Sequence, residues 1–341
     1  MKSSIQNILC LAILTSMLPP VLSAKDGGKS IYGEDSRGEF YSVSAEIQRL
    51  SDSVVSLWEE KDVVFNPAFQ TYSLFTEKLG NKYNLCPGEK FREQPAGAFC
   101  SGSLVGEDLI MTTGHCVPND MKCGSTKFVF GYSVSQPRMQ AAEKVDPRDI
   151  YSCKEVVARS NGLDQNAFFL AELGPEYALI RLDRKVEGRK PLAINRANPV
   201  SKGSPVFAIG HPLGLPLKII SGATVRTADP SSYFVVDLDT FRGNSGSPVF
   251  NSKTKLIEGI LVRGDGDFVQ TPAGCNTMAV YSQNGGRGED VTKIGTVEKF
   301  IPMLPAEKEA EAMIKANDIK AVNIGNITAL RGLAAEHMDL Q

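Results

Sequence analysis

The chain has 341 residues, 42% hydrophobic and 22% charged, an ordinary globular composition that excludes a disordered or collagen-like polymer. Lys and Arg number 37 against 39 Asp and Glu, for a net charge of -2, and no run of five like charges occurs. No broad basic surface is therefore expected, and nucleic acid is not an expected partner.

Residues 1-24 read as an export signal: Lys2, an apolar stretch from Ile8 to Leu18, Pro19 and Pro20, then small residues at Ser23 and Ala24. The apolar stretch is too short to span a bilayer comfortably, so no membrane association is expected once the signal is cleaved. Cys10 lies inside that stretch. Of the seven cysteines, the six others are Cys86, Cys100, Cys116, Cys123, Cys153 and Cys275. An even number in an exported chain predicts three disulfides and a secreted or periplasmic protein. No C-x-x-C occurs and two of the three histidines lie far from any cysteine, so neither zinc nor another metal is expected.

Residues 25-52 begin with a stretch rich in Gly, Ser and charge and read as an extended N-terminal arm or pro-segment. From residue 53 the chain alternates short apolar runs with Gly, Pro, Asn and Asp: SVVSLW, SGSLV, LIMTT, KFVFGY, YALIRL, PVFAIG, YFVVDL, SPVF, LIEGILV. Each run has strand length, and their spacing predicts an all-β sandwich or barrel over residues 53-303. The stretch from Phe65 to Gln94 reads as a long loop insertion. Helical signal is confined to the C-terminal tail, residues 304-341, where Glu and Lys stand at helical spacing after Pro305.

Three segments carry the chemistry: MTTGHC ending at Cys116, EYALIRL starting at Glu176, and FRGNSGSPVF around Ser245. A serine hydroxyl is a poor nucleophile unless a base takes its proton, and the base needs a carboxylate to fix its tautomer. The glycines on both sides of Asn244–Ser245 suit a tight turn whose N–H groups, those of Gly243 and Ser245, converge as an oxyanion hole. The other histidines fit this scheme less well, His211 as a turn or core residue and His337 as part of a polar tail.

These segments resemble the chymotrypsin-like (trypsin-like) serine proteases. TTGHC is similar to the histidine motif, EYALIRL to the acid motif and GNSGSP to the serine motif, in the family's order; DLDTFRGNSGSPVFN is most similar to the bacterial glutamyl-endopeptidase branch. The resemblance spans roughly residues 53 to 300. It implies a chymotrypsin-like double β-barrel and a secreted serine endopeptidase acting on peptides or proteins, monomeric and without a cofactor. His115 would be the general base, Ser245 the nucleophile and Glu176 the orienting acid. It also implies a Cys100–Cys116 disulfide bracketing the histidine loop, while the other four cysteines allow three connectivities.

Four positions bear on the mechanism and specificity that the resemblance implies. Glu176 stands where the family has Asp, and its extra methylene moves the carboxylate by over ~1 Å unless something compensates. Glu176→Asp is accordingly expected to keep or improve activity, with Asp183 or Asp164 as substitute acids if Glu176 has no role. Asn244 cannot make the ion pair with a freed N-terminal amine that trypsin-type zymogens use, although IYG at Ile31 superficially resembles a mature start. Leu261 occupies the place of the histidine that binds substrate carboxylates in glutamyl-specific relatives. Asp239, six residues before Ser245, falls where trypsin-like enzymes place the acid of the primary pocket. With Thr240, Leu261, Val262 and Gly264 around it, Asp239 predicts Lys or Arg at P1; Arg263 works against that by neutralising Asp239 or attracting acids. Two rival classes remain. An α/β-hydrolase esterase fails because its order is Ser, acid, His. A catalytically impaired protease-like binding or adhesion protein is the alternative that Glu176 raises.

Overall fold

A computed structural model describes residues 30–162, 174–197, 199–305 and 307–308. Twelve strands build two barrels. The first comprises β1 (Val54–Glu59), β2 (Cys100–Gly106), β3 (Leu109–Thr112), β4 (Thr126–Phe130), β5 (Ile150–Asn161) and β6 (Glu176–Leu182). They pair in the closed order β1-β2-β3-β6-β5-β4. The second comprises β7 (Pro205–Gly210), β8 (Lys218–Thr227), β9 (Tyr233–Val236), β10 (Pro248–Asn251), β11 (Ile257–Arg263) and β12 (Glu289–Lys293). Its order is β7-β8-β9-β12-β11-β10, closed between β10 and β7. The strand order is the same in both halves, and the expected all-β double barrel is present.

The unbroken apolar runs follow from this arrangement, because a strand buried on both faces has no polar side. Val55 and Leu57 fill the first barrel while Val54, just before them, turns out of it. Ala178 and Ile180 point in, and Leu179 points out. In the second barrel Val206 and Ala208 point in and Phe207 and Ile209 point out. The outward residues of both barrels meet in one further core, where Phe207 and Phe250 stack with ring centroids 4.9 Å apart. Closing each sheet on itself also removes exposed strand edges.

The segment before the barrels is more than an arm. Ile31–Tyr32 pairs in parallel with Val280–Tyr281, and Arg37–Glu39 adds a seventh strand beside Lys218–Ile220 of β8. Beneath this strand Lys218 is fully buried and donates to Glu39 Oε2 at 3.0 Å and Gln94 Oε1 at 2.9 Å. Burial pushes its ammonium pKa down to about 8 despite the Glu39 charge. A helix, α1 (Ala45–Ser51), follows, capped where Ser44 Oγ accepts from the Ile47 N–H. Its apolar contribution is Ile47 and Leu50, which lean on the inter-barrel core. Two apolar residues in seven are too few for a readable period, which is why the sequence shows no helix there.

The stretch from Phe65 to Gln94 is likewise structured. It completes a hairpin, Val63–Asn66 with Thr71–Leu74, and then crosses to the second barrel, where Cys86 is bonded to Cys275. Asn276 Nδ2 donates to Tyr83 O at 2.8 Å beside that bond. The other disulfides are Cys100–Cys116 and Cys123–Cys153. Peptide mapping of unreduced protein is expected to recover these three pairs; free thiols at Cys100 and Cys116 would contradict the bracketed histidine loop. Opening Cys86–Cys275, whose partners are 189 residues apart in sequence, is expected to cost up to ~5 kcal/mol, read in denaturant titrations. Among the described residues no helix is long and apolar enough to cross a membrane. The signal at residues 1-24 and nearly all of the expected tail helix fall outside the described residues.

Candidate active site

His115 sits in the single turn Gly114–Cys116 that follows β3, and the Cys100–Cys116 bond ties this turn to the start of β2. Glu176 opens β6, beside β3 in the same barrel. The structure brings the two together: His115 Nδ1 lies 2.5 Å from Glu176 Oε1, and the His115 backbone N–H donates to the same oxygen at 3.0 Å. The imidazole side chain is 48% exposed and the carboxylate 7%. Burial pushes the Glu176 carboxyl up. The hydrogen bond and charge of His115, its backbone N–H and the Arg263 guanidinium outweigh burial and hold it below the ordinary carboxylate value. An ionised Glu176 can only accept, so Nδ1 carries the proton and Nε2 presents a lone pair.

The added methylene of Glu176 is therefore accommodated. The backbone of β6 is set by Thr292 of β12, whose hydroxyl accepts from Glu176 N at 3.1 Å and donates to Glu176 O at 3.0 Å. Across the barrel junction, Arg263 Nη1 stands 3.7 Å from Glu176 Oε2. Sequence reasoning missed both contacts, since residues 292 and 263 lie in the other barrel. Of the two substitute acids, Asp183 is not at the site. Asp183 follows the far end of β6, about 20 Å along the strand from Glu176, and pairs with Arg184 at 3.2 Å. Asp164 lies outside the described residues.

Ser245 belongs to the turn before β10. Gly243 and Gly246 have φ of 88° each, a region open to glycine. A Cβ at Gly243 would stand 2.4 Å from His211 O, and one at Gly246 would stand 2.1 Å from Ser101 O. This close approach seats the turn on β2, where Ser101 N donates to Ser245 O at 2.9 Å and Ser101 Oγ donates to Gly243 O at 2.7 Å. Ser101 follows Cys100, so the bracket that fixes the histidine turn also fixes the serine turn. Asn244 closes the turn on itself, its Oδ1 accepting from Phe241 N at 3.1 Å. The Ser245 hydroxyl donates to Val262 O at 3.2 Å. His211 is buried close by with Nδ1 3.0 Å from Leu215 O, and burial pushes its pKa down to about 3, leaving it a neutral core residue.

The expected pocket needs correction. Asp239 does not lie open at a pocket floor: its Oδ1 accepts from Tyr32 N at 2.7 Å, and its Oδ2 accepts from Ser36 N at 2.8 Å and Ser36 Oγ at 2.6 Å. The N-terminal segment returns some 200 residues along the chain to cap this carboxylate, and no local pattern announces that. Burial pushes the Asp239 carboxyl above its ordinary value, with these bonds acting against burial. Leu261 is not a pocket wall either; its side chain is in the core of the second barrel. Arg263 does not reach for Asp239, because its guanidinium faces Glu176 and Asp290. Arg242 pairs with Asp267 at 3.2 Å. The acid beside Thr240 and Gly264 is Glu289, fully buried, with Oε2 accepting from Thr240 Oγ1 at 2.6 Å and Oε1 from the Tyr32 hydroxyl at 3.0 Å. Asp239→Ala is accordingly expected to lower stability by about 3 kcal/mol in denaturant titrations, from three lost bonds to a carboxylate, while P1 preference in a peptide library stays the same. A Lys/Arg preference lost in that variant would restore Asp239 to the pocket.

One His/Cys grouping among the described residues, Cys100, His115 and Cys116, falls within 4.8 Å. Both sulfurs are joined to each other, so the group offers no thiolate for a metal.

Residues 100–257 match the sequence model of the trypsin-like peptidase domain, a span that contains His115, Glu176 and Ser245. No curated protein matches the chain. Similar solved structures include a Glu endopeptidase in complex with MPD, 17% identical with a TM-score of 0.44 over 79% of this chain and 97% of that one. Human heparin binding protein is 15% identical with a TM-score of 0.44, over 74% and 91% of the two chains. Residues 100–257 thus match a trypsin-like peptidase domain across the histidine, acid and serine segments, and they lie within an all-β double barrel of two six-stranded halves with the same strand order.

Proposed function

We propose that this protein is a secreted serine endopeptidase that cleaves peptide bonds through an acyl-enzyme on Ser245. The observation that carries the reading is the 2.5 Å contact between His115 Nδ1 and Glu176 Oε1, reinforced by the backbone N–H of His115 on the same oxygen. That arrangement fixes the tautomer a general base needs. The Ser245 hydroxyl turns from Val262 O toward His115 Nε2 and attacks the scissile carbonyl carbon as its proton passes to the imidazole. The N–H groups of Gly243 and Ser245 stabilise the oxyanion. Imidazolium then returns the proton to the leaving amine, the C–N bond breaks, and water, deprotonated by the same imidazole, releases the acid and regenerates Ser245.

Export fits the signal features of residues 1-24 and the three disulfides, which persist in oxidising compartments. The N-terminal segment from residue 30 belongs to the folded protease unit by its strand pairing and its cap on Asp239. Labelling with a fluorophosphonate probe, followed by peptide mapping, tests the activity. Modification at Ser245 together with cleavage of an unstructured protein is the expected result. Absence of both identifies an impaired binding protein instead.

A further inference from the structure

Glu176 has one methylene more than aspartate and hence one more torsion to fix. Both contacts from His115 fall on Oε1, so they leave the carboxylate free to pivot about that oxygen. Oε2 faces Arg263 Nη1 at 3.7 Å. Arg263 is itself held: its Nε donates to Asp290 Oδ2 at 3.0 Å, and Arg287 Nη2 donates to the same oxygen at 2.7 Å. Asp290 is buried and sits directly across the strand pair from Arg263, next to an irregularity in the register of β11 and β12. The residue before Arg263 is Val262, whose carbonyl accepts the Ser245 hydroxyl. Two consecutive residues of β11 thus address the serine and the acid from the second barrel.

We infer that Arg263 is a positioning residue, which clamps the second oxygen of Glu176 through a relay from Arg287 and Asp290 and thereby orients His115, rather than a contact for substrate side chains. This rests on the reading of Ser245, His115 and Glu176 as the catalytic set. The clamp supplies the compensation that glutamate in the acid position requires, because an oriented carboxylate is useful only if its plane is fixed. Its positive charge also draws on the carboxylate, so that Glu176 favours the imidazolium less than an unclamped acid would. Other charged groups on elements packed against the pair are mutually engaged: on β5 Arg159 pairs with Asp120 at 3.5 Å, and Asp290 is shared by Arg263 and Arg287. Among the described residues that face it, Arg263 is the cation paired with Glu176.

The test compares the parent protein with Arg263→Met and Arg263→Lys, by kcat, KM and rate of fluorophosphonate labelling from pH 5 to 9, and by the low-field proton resonance of the His115 Nδ1–H. Arg263→Met is expected to lower kcat about tenfold with KM within about twofold, to move the acid limb of the pH–rate profile to higher pH, and to shift or broaden the proton resonance. Arg263→Lys, which keeps the charge, is expected to retain the parent's acid limb and recover part of kcat. A raised KM with kcat, acid limb and resonance unchanged would overturn the clamp and make Arg263 a substrate contact. Failure of the parent to label at Ser245 counts against the catalytic reading alone; the resonance still decides whether Arg263 fixes the Glu176–His115 pair. If Arg263→Met does not fold, the Lys variant carries the comparison: a resonance left at the parent position with kcat reduced and KM held supports the charge role, and a raised KM alone overturns it.

Discussion

Replacing Ser245 by Ala is expected to remove peptide hydrolysis almost completely, by on the order of 10⁴- to 10⁶-fold in kcat, and His115→Ala is expected to do nearly the same. The two residues would act as a unit, because the serine attacks only as the imidazole takes its proton. The double variant should therefore be little worse than either single one, and a product of the two separate losses would show that they work independently. The fold is expected to survive both changes. His115 is half exposed, and the serine turn is held by backbone and side-chain contacts that do not involve the Ser245 hydroxyl: Ser101 N to Ser245 O at 2.9 Å and Ser101 Oγ to Gly243 O at 2.7 Å. Residual activity near that of the parent in Ser245→Ala would move the nucleophile elsewhere. Steady-state kinetics on a protein substrate, with thermal melts as the fold control, reads all of these outcomes.

The second large effect is expected at Glu176. Glu176→Gln places an amide where the carboxylate accepts both the Nδ1–H and the backbone N–H of His115. An amide NH₂ turned toward Nδ1 would favour the wrong tautomer, with the proton on Nε2, and a loss of about 10⁴-fold at neutral pH follows by analogy with the acid of the trypsin triad. The structure also reverses the sequence-based expectation for Glu176→Asp. The glutamate already reaches Nδ1 at 2.5 Å, so shortening it withdraws the carboxylate by over ~1 Å and is expected to lower kcat rather than raise it. The pH dependence of stability has a definite sign. The folded carboxyl is held below its unfolded value, so it contributes stability above the ordinary carboxylate range, and that contribution is lost as pH falls through the lowered folded value. Glu176→Gln should flatten this part of the acid unfolding profile. Unchanged hydrolysis in Glu176→Gln would leave His115 without the orienting acid assigned to it.

The sequence alone determined the broad architecture, because strand-length apolar runs between turn residues can bury both faces only in stacked or closed sheets, and runs such as PVFAIG and YALIRL do so with alternate residues in two different cores. It also singled out the three segments to which the proposed chemistry is assigned, since the residue types that move a proton and attack a carbonyl are few and their order is distinctive. What it read as a long loop insertion between Phe65 and Gln94, and as an extended arm or pro-segment before residue 53, contains short strands and two short helices, Ala45–Ser51 and Leu79–Lys82. Their stability comes from partners far along the chain, such as Cys275 and Lys218, rather than from local periodicity. The tertiary structure decided the environments of the site. Asp239 looks like a pocket acid in sequence and is a capped strut in space, because Tyr32 and Ser36 fold back onto it. Glu176 looks one methylene too long, and it fits because Thr292 sets its backbone and Arg263 faces its second oxygen from the opposite barrel. Whether a carboxylate is ionised, open or paired depends on which charges lie within a few ångströms of it, and that proximity is created only when the two barrels close against each other.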